Sequence, residues 1–102
     1  MKQYSTPYQT AKLIEMGFEK PRMAAPSLKW VEGEPTFEPQ YTIGELIEML
    51  PTIVDDFTLW IGRDERSNQW FMKYHPRTLV ADEELIDALY YMILRLKKEG
   101  AI

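Results

Sequence analysis

FTLWIGRDERSNQWFMKYH, residues 57–75, is the stretch that decides the fold. Phe57, Leu59 and Ile61 alternate with Thr58, Trp60 and Gly62. After Asp64-Glu65-Arg66-Ser67 a second alternation sets Trp70, Met72 and Tyr74 against Phe71, Lys73 and His75. A period of two marks a strand with one buried face. Two such runs around turn-forming residues predict an antiparallel hairpin. Turning both apolar sets inward places Phe57 opposite Tyr74, Leu59 opposite Met72 and Ile61 opposite Trp70. That register leaves a four-residue loop, a common hairpin connection. It also sets Trp60 across from Phe71 on the outer face.

Outward from the hairpin the period becomes helical. Asp82 is a candidate cap for a helix running to about Lys98, with Gly100 just past its end. Leu85, Ile86, Ala88, Leu89, Met92, Ile93 and Leu96 fall on one face and form its expected core side. Glu83 and Glu84 sit at the positive end of the helix dipole; Arg95, Lys97 and Lys98 sit at the negative end. Before the hairpin, Thr42-Ile43-Gly44-Glu45 reads as a capping box. It opens a helix from Ile43 to Leu50, closed by Pro51. Ile43, Leu46, Ile47 and Leu50 form its apolar stripe, with Glu45 and Glu48 turned to solvent. A first helix runs from Pro7 to Met16, capped by Ser5 or Thr6 and stopped by Gly17. Its expected core side carries Ala11, Ile14 and Phe18.

Four of the seven prolines fall between residues 21 and 41. Proline removes a donor and fixes φ, so this segment is expected as extended coil, with a short edge strand at Leu28–Val31. It would wrap over the core, pinned by Trp30, Phe37 and Tyr41. The order helix, coil, helix, strand, strand, helix predicts one α+β domain over 1–102. A small antiparallel hairpin or three-stranded sheet carries helices on one face, in two layers.

Composition removes several function classes. The chain has 102 residues, no cysteine and one histidine. Disulfide scaffolds, thiol nucleophiles and cysteine-based zinc sites are therefore excluded. The longest unbroken apolar run, Ala88 to Leu94, is seven residues. A membrane span needs about 20. Nothing after Met1-Lys2 reads as a secretory segment, so the expected compartment is the cytoplasm.

Three segments stand out together: YSTPYQTAKLIEMG (4–17), YTIGELIEMLP (41–51) and EELIDALYYMI (83–93). In these the chain resembles a family of short uncharacterised proteins from gut Bacteroidetes and their phages or mobile elements. The shared motifs are helix caps and apolar stripes, which specify a fold and carry no chemistry. The resemblance implies an intracellular accessory protein and transfers no catalytic residue.

The chemistry on offer is sparse. His75, the single histidine, ends the second strand without an evident orienting acid, so it is read as a surface residue. Asp55-Asp56 reads as a solvated turn rather than a cation site. The glycines form no phosphate-cradling pattern. No catalytic residue, cofactor or metal is expected. From Val31 to Asp56 there are seven acids and no base. From Phe57 to Arg77 there are four bases and two acids. A basic, aromatic hairpin can stack on single-stranded nucleic acid. A net charge of −4 and the acidic block argue against such a partner and for attraction between the two regions.

The residues left for recognition are aromatic. Trp60 and Phe71 share the outer hairpin face, either as a partner site or beneath the proline-rich segment. Tyr90, Tyr91 and Leu94 lie outside the core arc of the last helix. They are either flanked by the two shorter helices or form the seam of a two-fold homodimer. In the dimer, Asp87 of one copy would approach Lys97 or Lys98 of the other. The function these readings support is a non-enzymatic domain that binds a protein partner. The alternative is a nucleic-acid-binding accessory acting through residues 57–77.

Overall fold

The computed structural model describes residues 2–22, 24–31, 34–74 and 78–102. It is an α+β protein. Helix α1 spans Pro7–Glu15, α2 Ile43–Met49 and α3 Leu85–Glu99. Strands β1 (Ala24–Val31) and β2 (Glu34–Pro39) pair as a two-stranded ribbon. Strands β3 (Ile53–Val54), β4 (Phe57–Asp64), β5 (Gln69–Tyr74) and β6 (Thr78–Asp82) form an antiparallel sheet in the order β3-β4-β5-β6. Helix α3 packs on β5, β6 and α2.

The core lies between α3 and the sheet. Leu85, Ile86, Ala88, Leu89, Met92, Ile93 and Leu96 of α3 are all buried, as their spacing predicts. They meet Met72 and Tyr74 of β5, with Leu59, Ile61, Trp70 and Val80 packed around them. Burying each such apolar side chain contributes roughly 1.5–3 kcal/mol. Gly100 ends α3 in the left-handed conformation, φ 78°, where a glycine carries no Cβ penalty. The capping box of α2 forms as expected. Thr42 Oγ1 accepts the Glu45 N–H at 3.1 Å, and Glu45 Oε1 accepts the Thr42 N–H at 3.2 Å. A second capping box, Thr6 with Gln9, opens α1.

Several expectations are corrected. Residues 21–41 are largely a paired ribbon rather than coil. Both strands of a two-stranded ribbon are edges, and edges tolerate proline. Pro35 sits opposite Trp30, and Pro39 opposite Ala24. The side chains of Trp30 and Phe37 lie outside the described residues; Tyr41 is buried. The β4–β5 register is two residues from the expected one. Leu59 pairs with Tyr74, Ile61 with Met72 and Arg63 with Trp70. A shift of two preserves which residues share a face, so the apolar sets still point inward. The loop is Glu65–Asn68, set by Asn68 at φ 55° and by Asp64. The Asp64 carboxylate accepts the Arg66 N–H and the Ser67 hydroxyl, both at 3.0 Å. Asp82 ends β6 instead of capping α3. Its Oδ1 accepts the Glu84 N–H at 3.0 Å, and Glu84 is the residue before the helix. On α2, Ile47 is exposed while the Glu45 side chain is only 10% accessible. On α1, Leu13 is the fully buried residue, with Gln9 and Thr10 beside it; Ala11 is exposed.

Candidate functional site

The expected recognition residues do not form one surface. Tyr90 is 4% exposed and belongs to the interior, so it is withdrawn as a partner residue. Its ring lies 5.5 Å from that of Tyr91. Burial holds its hydroxyl above the ordinary tyrosine range, with Tyr8 and Tyr91 adding to the effect. Tyr91 is half-exposed, and Leu94 packs partly against the core. Together with Arg95, Lys98 and Glu99 they line an open 590 Å³ depression on the flank of α3. Asp87 is committed within the chain rather than to a second copy. It accepts Gln9 Nε2 and Lys2 Nζ, both at 2.8 Å.

Trp60 and Phe71 stand on the other side of the molecule, on the sheet face away from α3. In β4, Trp60 pairs across the strands with Lys73, and Gly62 pairs with Phe71. Phe71 in turn pairs with Ala81 of β6, which is exposed. Trp60 and Gly62 share the outer face because alternate strand residues point the same way. A Cβ on Gly62 would fall 2.3 Å from Cη2 and 2.8 Å from Cζ3 of Trp60. The outer edge of the indole therefore occupies the space that a side chain at position 62 would take. Lys73 Nζ sits 4.9 Å from the centroid of the same ring. A cation over an indole face is attracted by the ring quadrupole. Trp60 is thus held on two sides yet remains 51% exposed. The proline-rich segment does not bury it.

Among the described residues, Arg63 does not join Lys73, because it stands on the opposite sheet face. The Arg63 guanidinium lies 5.9 Å from the Trp70 ring, on the inward-facing register, and donates to Asn68 Oδ1. Arg66 lies in the loop. His75 and Arg77 fall outside the described residues. Two acids of the block, Glu45 and Glu48, pair with a base outside the hairpin. Arg22 reaches Glu48 at 2.6 Å and Glu45 at 3.7 Å. These residues line a 210 Å³ cavity with Phe18, Tyr41 and Met49. A block of acids without bases signals a cation from outside the block but not which one, since Lys20, Arg22 and Lys29 all precede it.

Asp55 and Asp56 form the expected turn. Both have positive φ, 50° and 68°, and they connect β3 to β4 as a two-residue loop. Among the described residues no three His, Asp or Glu side chains converge closely enough to hold a metal ion. Nor is any described helix long and apolar enough to cross a membrane. Comparison with known proteins finds no match to a family model, a curated protein or a solved structure.

Proposed function

We propose that the chain is a non-enzymatic accessory protein that recognises another protein through the outer face of its sheet, with Trp60 as the anchor. One observation carries the reading. The largest aromatic side chain on that face is half-exposed yet fixed, laid over Gly62 and flanked by Lys73. Tryptophan is enriched among the few residues that dominate binding energy. A ring already held in place has little rotamer freedom left to lose on docking. Phe71 and Ala81 extend the platform sideways.

Nucleic acid is the competing partner, since an indole beside a lysine is also a stacking site. Arg63 and Lys73 belong to opposite faces of the sheet, so they do not form one basic track, which favours protein. Affinity capture in the native host, comparing wild type with Trp60→Ser, tests the reading. The expected result is a partner protein retained by wild type and lost by the variant at unchanged thermal stability. Salt-sensitive retention on heparin, abolished by Lys73→Glu, would favour nucleic acid instead.

A further inference from the structure

Strand β4 has an edge that is half used. Its two-residue neighbour β3 pairs only with Phe57 and Thr58, and the Thr52 carbonyl accepts the Leu59 N–H at 2.8 Å. Backbone groups of alternate residues point to the same side of a strand. The N–H and C=O of Ile61 and Arg63 therefore point the way that of Leu59 does, away from β5. No described strand lies there. The free stretch runs from Trp60 to Asp64, between β3 and the hairpin loop, and its middle residue is Gly62. The register with β5 is continuous over these residues, without a bulge; the stretch contains no proline, and its charges, Arg63 and Asp64, lie at its loop end. Proteins commonly blunt open edges with such features.

We infer that this edge is the docking site for a second copy of the chain, its β4 added antiparallel about a two-fold axis at Gly62. The inference rests on the reading of Trp60 as an interface residue and supplies its partner. The fit is self-complementary. With Gly62 opposite Gly62, Ile61 of each copy faces Arg63 of the other. Both residues carry outward donors and acceptors, so each of the two pairs exchanges two hydrogen bonds. All four open residues are satisfied and Leu59 is left with Thr52. Asp64 of the second copy stands opposite Trp60, one position short of Leu59, and its chain then turns away into its own loop. The pairing thus ends where β3 begins.

The same axis accounts for the exposure of Trp60. Directly opposed residues of a non-hydrogen-bonded pair approach to about 4.5 Å between Cα atoms. Each Gly62 carries the indole of its own Trp60 in place of a side chain. The two indoles would meet edge to edge over the axis and shield one another, with Lys73 of each copy on the outer side. A standard interface buries about 800 Å² per partner. A five-residue edge and one indole fall short of that, so the dimer is concentration-dependent.

Sedimentation together with amide hydrogen exchange, from about 1 µM to about 1 mM chain, tests it against the affinity expected of a small interface. The expected result is a dimer at the upper end, with the Ile61 and Arg63 amides becoming protected as it forms. The Trp60 and Gly62 amides, which bond β5, should be protected at every concentration. Arg63→Pro removes an N–H that only the second copy uses, and edge strands accept proline. It should be monomeric, with Trp60 and Gly62 still protected. If that variant does not fold, the wild-type exchange pattern decides alone. A single-chain mass throughout, or a dimer that leaves Ile61 and Arg63 unprotected, overturns the inference. Should the chain stay monomeric while Trp60→Ser still abolishes capture of another protein, the second copy is rejected and the interaction reading stands. If the chain stays monomeric and Trp60→Ser leaves capture unchanged as well, both are rejected.

Discussion

At Gly62 two opposing effects can be weighed against each other. Glycine in a strand costs roughly 0.5–1 kcal/mol relative to alanine through backbone entropy. A methyl group there would displace the Trp60 ring, whose atoms lie 2.3–2.9 Å from the Cβ position. The ring is half-exposed and can swing into solvent, so the steric cost is the loss of its cation–π contact with Lys73. At an exposed site that contact is worth about 0.5–1 kcal/mol. The two terms nearly cancel. Gly62→Ala is therefore expected to change stability by less than about 1 kcal/mol while releasing the indole. The upfield ring-current shift of the Lys73 ε-methylene protons should be present in wild type and vanish in the variant. Retention of that shift would show that the ring is not held by Gly62. Interior residues of α3 behave differently. Leu89 is fully buried, and Leu89→Ala is expected to lower stability by about 2–5 kcal/mol in denaturant titration.

At the level of elements, the β3–β4 connection holds a local conflict. A two-residue hairpin loop with positive φ at both positions has the pattern of a type I′ turn, which favours Asn-Gly. Here both residues are aspartate, at φ 50° and 68°. An L-residue pays about 1–2 kcal/mol in the left-handed region, less for aspartate, whose side chain can bond locally. Asp56→Gly is expected to raise stability by a few tenths to about 1 kcal/mol, whereas Asp56→Ala lowers it. A thermal melt that orders the variants the other way would show that the turn is not strained. The elements readable from the sequence were those whose signals are local or long. The α2 capping box spans four residues, and the apolar face of α3 repeats over its 15-residue length. Strands β3 and β6, of two and five residues, are too short for periodicity to declare them. Alternation fixed which residues of β4 and β5 face inward but not their pairing. Parity cannot distinguish registers two residues apart, and the choice fell to Asn68 in the left-handed region and to the bonds of Asp64. Tyr90 lies inside rather than outside because the angular rule for α3 cannot see its neighbours: α1 reaches the helix one turn earlier, through the Gln9–Asp87 bond. Trp60 and Phe71 were readable as an outer-face pair, but the Gly62 bed and the Lys73 partner depend on the register.

Across the whole molecule, polar bonds join segments far apart in the chain. Ser5 Oγ accepts the Tyr41 N–H at 2.9 Å and meets Thr10 Oγ1 at 2.6 Å, fixing α1 to the entrance of α2. Gln9 and Lys2 converge on Asp87 of α3. Lys97 Nζ lies 5.9 Å from the Phe18 ring, tying the far end of α3 to the chain after α1. Tyr74 makes a further link. Its ring is 1% exposed between the sheet and the helices, and its hydroxyl donates to the Pro51 carbonyl at 2.6 Å. Burial pushes this hydroxyl up to about 12. An ordinary tyrosine titrates near 10, so on raising the pH the unfolded chain loses the proton first. Below pH 10 both states hold it and the full stabilisation is present. Between about pH 10 and 12 only the folded state still does, and stability falls as pH rises, by about 2–3 kcal/mol over the window. Tyr41 and Tyr90 are also raised by burial and act in the same direction. Tyr74→Phe isolates the one contribution. At neutral pH it should cost about 1 kcal/mol, since the Pro51 carbonyl loses its donor. In alkaline solution its melting temperature should decline less steeply than that of wild type, so the two curves meet near about pH 11 and then cross, with the variant the more stable at higher pH. Parallel curves from pH 9 upward would mean that the Tyr74 hydroxyl ionises as readily in the folded chain as in the unfolded one, and that the sheet is open to water at Pro51.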